Sequence, residues 1–135
     1  MDRITESFAR QGLMTTLGAR IDSVAPGRVA ISAPIGPASS QQHGYAHAGA
    51  SFALGDSAAG YSALTTMAEG AEVLTAEMKI NLVAPADGIR LVATGEVVKP
   101  GRRLVVTRAT FETEYADGSR RIVAVLQRTM VPVTS

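Results

Sequence analysis

Apolar residues recur first with a helical period and then, over most of the chain, with a period of two. In residues 2 to 10, Ile4 and Phe8 lie one turn apart on a single face and Asp2 stands as a cap, which predicts a short amphipathic helix. Two short strands follow, at about 18–24 and 28–33, joined by the turn residues Ala25-Pro26-Gly27. Pro, Gly, Ser and Gln from Pro34 to about Ala46 predict a loop. From Ala48 to about Met67 runs the one long helical segment; twelve of the sixteen residues up to Ala63 are Ala, Gly or Ser. Its glycines, Gly49, Gly55 and Gly60, each cost about 1 kcal/mol of helix propensity relative to Ala. A helix that keeps them is expected to be approached closely by neighbouring backbone and wrapped on several sides.

The rest of the chain reads as strand. Apolar and polar residues alternate strictly from Leu74 to Leu82. Pro85-Ala86-Asp87-Gly88 turns into a strand from Ile89 to Val98, and Lys99-Pro100-Gly101 into one from Arg103 to Tyr115. In that last strand Arg108, Thr110, Glu112 and Glu114 line one face. Asp117-Gly118 is a hairpin turn before a final strand from about Ser119 to Val131. Strand, strand, long helix, four strands is an α+β order, a single sheet with one helix packed on it. The chain has 135 residues and no repeat, linker or low-complexity tract, so residues 1–135 read as one domain.

Composition removes several function classes. Thirteen Lys+Arg against twelve Asp+Glu leave a net charge of +1, the basic residues are scattered, and 4% of the chain is aromatic. A nucleic-acid partner, which calls for a basic stripe with stacking aromatics, is not expected. The absence of cysteine excludes disulfides, zinc–thiolate sites and iron–sulfur clusters. The N-terminus mixes charges and lacks the apolar run of a signal peptide, and the longest uncharged stretches contain Pro34, Pro37, Gln41, Gln42 and two histidines. The expectation is a soluble, cytoplasmic protein with no membrane partner.

Against that background Asp56 stands out: from Val29 to Ala68 it is the only Asp, Glu, Lys or Arg. A carboxylate among small and apolar residues is costly to bury, so something compensates it or uses it. It either satisfies a buried hydroxyl or a distant Arg, or it performs chemistry. The run Gln41-Gln42-His43-Gly44-Tyr45-Ala46-His47-Ala48-Gly49 places polar groups on a loop at the start of the helix that carries it. Free N–H groups at a helix N-terminus stabilise developing negative charge and can form an oxyanion hole for a polarised carbonyl. A carboxylate beside that carbonyl can act as general base on water or attack it. Ala48 and Asp56 are eight residues apart, about 12 Å along a helix. One helix cannot present both to one carbon. Two helices antiparallel across a twofold axis can, so a site of this kind predicts an obligate dimer with two shared sites.

The run His43-Gly-x-x-His47-x-Gly49-x(6)-Asp56, with this element order, resembles the hotdog-fold thioesterases, specifically the PaaI-like branch of acyl-CoA thioesterases. The resemblance extends over nearly the whole chain, including the Pro85 and Pro100-Gly101-Arg102-Arg103 turns. It implies a hotdog fold, one long central helix wrapped by a six-stranded, mainly antiparallel sheet with a short N-terminal helix. It implies hydrolysis of an acyl-CoA to free acid and CoA, with no separate cofactor, in a homodimer that pairs again into a homotetramer. The family pattern is His-Gly-Gly with an Asp nine residues after the His. Here His47 and Asp56 keep the spacing while Ala48 replaces the first Gly, preserving the backbone donor in a narrower space. By the same resemblance Asp56 is the base or nucleophile, the Ala48 amide polarises the thioester, Gln41 lies near it, and Thr75 on the following strand touches the carboxylate. His47 is expected to fix the start of the helix by hydrogen bonding.

Other readings of these residues differ in weight. His43 and His47 have the i,i+4 spacing of a helical zinc pair, but Gly44 argues against a helix there and no third ligand has a suitable spacing, so no metal is expected. Ser57, in Gly55-Asp56-Ser57-Ala58, sits mid-helix without the sharp turn a nucleophilic serine needs. Arg102 and Arg103 suit CoA phosphates, or are a solvated hairpin tip. Tyr45 and Phe52 line an acyl pocket in one reading and belong to the core in the other, with His43 and Gly49 adjoining the substrate. The rival functions are a hotdog hydratase or dehydratase, whose Phe-Pro-Gly-His or Asn-Pro-x-His segments are absent, and an acyl-CoA sensor. A sensor would ordinarily carry a helix-turn-helix, and only about ten helical residues precede the first strand.

Overall fold

The computed structural model describes residues 2–133; the side chain of Asp2, and with it the expected cap, lies outside the described residues. Helix α1 (Asp2–Ala9) buries Ile4 and sets Phe8 against Tyr61, ring centroids 6.4 Å apart, so its apolar stripe faces the core. A second short helix, α2 (Gly12–Leu17), was not expected. It buries Met14 and Leu17 and closes on Gly18, whose φ of 68° is the left-handed conformation a helix C-terminus favours. The first strand therefore begins after Gly18: β1 (Arg20–Ala25), followed by β2 (Arg28–Pro34).

The long helix α3 spans Ala48–Leu64 and stops short of the expected Met67. The Thr65 and Thr66 hydroxyls donate to the Ser62 and Ala63 carbonyls at 2.7 and 2.8 Å. The Arg3 guanidinium reaches the carbonyls of Leu64, Met67 and Ala68, a cation at the negative end of the helix. Four strands follow: β3 (Glu72–Leu82), β4 (Arg90–Lys99), β5 (Val105–Glu114) and β6 (Arg120–Val133). Strand β5 starts two residues later than expected, which leaves Arg102 and Arg103 in the β4–β5 turn.

The six strands form one sheet in the order β1-β2-β4-β5-β6-β3, with every neighbouring pair antiparallel. Helix α3 packs mainly on β2, β4 and β5. Ala58, Ala59 and Ala63 are fully buried, and the expected close approach is present. A Cβ on Gly55 would sit 2.1 Å from the Phe111 ring, and one on Gly95 of β4 would sit 2.3 Å from the Ala58 carbonyl. Small residues on helix and sheet thus let the two backbones meet. On β5, Val105, Thr107, Ala109, Phe111 and Thr113 point into this contact, opposite the polar face read from the sequence.

Strand β3 departs from strict alternation. Its register against β6 shifts between Thr75 and Glu77, a bulge that places Ala76 out of pairing. Val73 and Thr75 share the inner face before the bulge, and Met78 and Ile80 share it after. Leu74 is thereby turned outward and is 62% exposed. Because β3 ends the sheet order, its outer edge is unpaired within the chain.

Candidate active site

The N-terminus of α3 is assembled by its own loop. Gly44 turns it at φ 82°, and the Gln41 side-chain Oε1 accepts the backbone N–H groups of His43 and Tyr45 at 2.5 and 3.4 Å. His43 therefore lies on the loop, while His47 is the N-cap of α3, with φ −63° and ψ 141°. The His47 N–H donates to the Ser39 carbonyl, and Nδ1 accepts the Gly49 N–H at 2.8 Å. The Ala50 and Ser51 N–H groups donate to the His47 carbonyl. That leaves the Ala48 N–H, which has no acceptor among the described residues.

Gly49, read from the sequence as adjoining the substrate, serves the helix cap. Its amide is already taken by His47, and a Cβ there would stand 3.0 Å from Nδ1, so glycine makes room for the capping ring. The free amide opens on a cavity of about 600 Å³ lined by Gln41, Tyr45, His47, Ser51, Leu82 and Pro85, among others. The Gln41 Nε2 has no acceptor among the described residues. Tyr45 and Phe52 are exposed on this chain, not core.

Asp56 lies two turns along α3, and its side chain is 41% exposed. Its two oxygens differ. Oδ1 is buried with no aligned hydrogen-bond donor, and the nearest charge is the Arg128 Nη1 at 3.1 Å. That Nη1 instead donates to the Asp56 main-chain carbonyl at 2.5 Å, so its contact with the carboxylate is electrostatic. The exposure of the side chain thus belongs to its other oxygen. Contrary to expectation, Thr75 does not touch the carboxylate; its Oγ1 accepts from Arg128 Nε at 2.7 Å, one residue removed from Asp56. Arg128, which sequence reasoning missed, is only 8% exposed in its side chain. Burial pulls its guanidinium below the ordinary value, and the Asp56 charge pulls the other way.

A cavity of about 180 Å³ opens at Asp56, walled by Arg128, Val73, Ser57, Tyr61, Ser7 and Gln11, among others. Gln11 ties this wall together: its Nε2 donates to the Tyr61 hydroxyl at 2.6 Å, and its Oε1 accepts from Ser57 at 3.2 Å. None of the residues lining this cavity lines the larger one. Arg102 and Arg103 are exposed in the β4–β5 turn and line neither. Among the described residues no three His, Asp or Glu gather where they could hold a metal ion, and no helix is long and apolar enough to cross a membrane.

The model of the thioesterase superfamily matches residues 43–115, from the His43 loop through β5, more than half of the chain. The chain belongs to the thioesterase superfamily. This thioesterase-family chain is similar to a thioesterase family protein from Silicibacter pomeroyi, with 46% identity over 99% of this chain and 98% of that one, and a TM-score of 0.94. It is similar to a thioesterase enzyme from Staphylococcus aureus at 26% identity, covering 90% of this chain and 98% of that one, TM-score 0.80. The PaaI protein of the Escherichia coli phenylacetic acid degradation operon shares the fold, at 18% identity over 99% and 93% of the two chains and a TM-score of 0.85. No curated protein matches the sequence. The central helix wrapped by a six-stranded antiparallel sheet is the hotdog fold of these thioesterases.

Proposed function

We propose that this thioesterase-family chain hydrolyses an acyl-CoA to the free acid and CoA, in active sites shared between two copies. The observation that carries the reading is the pairing of one unsatisfied helix-terminal amide with one isolated carboxylate, each opening on its own cavity. The Ala48 N–H receives the thioester oxygen. Asp56 takes a proton from the water that adds to the carbonyl carbon, or attacks that carbon itself and is released by water. The carbon–sulfur bond breaks, and a proton passes to the departing thiolate, so acid and thiol are the products. Gln41 keeps its Nε2 for an acceptor on the substrate, and His47 acts by holding the helix start in place.

The same geometry supports a site shared between two copies. Ala48, Phe52 and Asp56 are spaced by four and share a helix face that the chain's own sheet leaves open, with Phe52 exposed. The unpaired β3 edge, with Leu74 and Leu82 exposed, suits a second copy. Antiparallel pairing brings the Ala48 amide of one copy toward the Asp56 of the other. Arg102 and Arg103 are then available to CoA phosphates, and dimers pair further into a tetramer.

The test is CoA release from aryl-, short- and medium-chain acyl-CoAs by wild type and Asp56→Ala, with circular dichroism to check folding. Turnover of one class, lost in a folded Asp56→Ala, supports the reading and names the substrate class. Binding without CoA release from any of them makes the chain an acyl-CoA sensor. Activity that survives in Asp56→Ala removes Asp56 from the mechanism.

A further inference from the structure

Strand β6 turns Ala124, Leu126, Arg128 and Met130 toward the helix, and the other three are buried apolar residues. An arginine in that row is costly unless its charge and its N–H groups are used. They are used on two sides, by the turn of α3 that carries Asp56 and by Thr75 of β3. Nη1 donates to the Asp56 carbonyl and lies 3.1 Å from Oδ1, while Nε is held by Thr75 at 2.7 Å. Two further features make room for this contact. Gly60, one turn beyond Asp56, has no side chain where a Cβ would meet Nη1 at 2.5 Å. The bulge at Ala76 gives β3 the extra residue that lets both Thr75 and Met78 face inward.

We infer that Arg128 is a positioning residue for the reaction: it holds Asp56 by main chain and carboxylate so that one oxygen is fixed against the guanidinium and the other is presented to the cavity. Thr75 fixes the guanidinium in turn. The inference rests on the thioesterase reading above. The planar guanidinium reaches Thr75 and Asp56 simultaneously from a rigid fork, which the single ammonium of lysine cannot do. A base or nucleophile displaced by about 1 Å can lose roughly 10²-fold in rate, so the arrangement is felt in kcat.

Wild type, Thr75→Val, Arg128→Lys and Arg128→Gln are compared for kcat and KM of CoA release and for Tm. Thr75→Val is expected to lower kcat about fivefold, Arg128→Lys about tenfold and Arg128→Gln roughly 10²-fold, with KM within about threefold throughout. A role confined to stability lowers Tm and leaves the kcat of the folded variants near wild type, which overturns the inference. If the Arg128 variants do not fold, Thr75→Val decides, because valine keeps the branched shape of Thr75 and removes only the hydroxyl that holds Nε. A wild type that releases no CoA overturns the enzymatic reading and this role with it. An active wild type matched by Thr75→Val and Arg128→Lys overturns this inference alone.

Discussion

Replacing Ala48 by proline separates the proposed oxyanion donor from the fold that carries it. Proline removes one N–H, and that N–H is the one at the start of α3 with no acceptor among the described residues. The first helical position tolerates proline because its fixed φ suits the helix and no intrahelical bond is lost. The residue before a proline must be extended, and His47 already is, at φ −63° and ψ 141°. Ala48→Pro is therefore expected to leave Tm within about 2 °C of wild type, while loss of one oxyanion donor costs roughly 10²–10³ in kcat, or about 3–4 kcal/mol of transition-state stabilisation. Ala48→Gly keeps the N–H and serves as the control, with kcat within about threefold of wild type. The assay is continuous CoA release at saturating substrate, with the melting curve of each variant taken at the same protein concentration. A folded Ala48→Pro with wild-type kcat refutes the argument, since the chain would then polarise its substrate from some other group.

Three further outcomes follow from the packing and the charges. Gly55→Ala gains about 1 kcal/mol of helix propensity but puts a methyl 2.1 Å from a fully buried Phe111 ring, an overpacking cost of about 3 kcal/mol, so a net loss near 2 kcal/mol and a Tm about 8 °C lower are expected; the same change at Gly12, which has no neighbour within 4 Å, should not lower Tm. Tyr61→Phe deprives Gln11 of its acceptor and Ser7 of its partner, and a urea melt should show about 1 kcal/mol less stability. Asp87 is held below its ordinary value of 3.8 by the Tyr115 hydroxyl and then by Arg121, against a desolvation effect in the other direction. Its stabilisation is complete above that ordinary value and is lost as pH falls through the folded-state value, so Asp87→Asn should flatten the change in urea midpoint between pH 5 and pH 3.

Much of this fold is legible because local chemistry decides it. The Asp117-Gly118 and Lys99-Pro100-Gly101 turns separate strands whose alternation survives in β5, where Phe111 and Thr113 point in and Arg108 and Glu112 do not. The cluster of small residues in α3 announces a close approach, and Gly55 and Gly95 show where it happens. The short helix α2 was illegible because Thr15 and Thr16 carry weak helix propensity, and burial of Met14 and Leu17 by the rest of the chain overrides it. The bulge in β3 was illegible for a different reason. Leu74 to Leu82 alternates strictly on paper, and only pairing with β6 shows that one residue is left out.

At the site the same contrast decides which residues a sequence reveals. Asp56 is visible because it is the one charge in forty residues, and His47 because a side-chain acceptor immediately before a small-residue helix start has an evident use as a cap. Arg128 is the only Asp, Glu, Lys or Arg from Ile122 to Ser135, a much shorter gap than the one around Asp56, so its sharper signal is parity. In Ala124-Val125-Leu126-Gln127-Arg128-Thr129-Met130 the apolar set on one parity is Ala124, Leu126 and Met130, and Arg128 shares that parity while Gln127 and Thr129 do not. A charge on the core face of a strand violates the pattern that places the strand, and it persists only where a partner on another element repays its desolvation. The carboxylate of α3 breaks its pattern by isolation and the guanidinium of β6 breaks its own by parity, and the two meet at 3.1 Å. Each is the compensation that the other's position demands, so the pair is legible only when both kinds of violation are sought in the same chain.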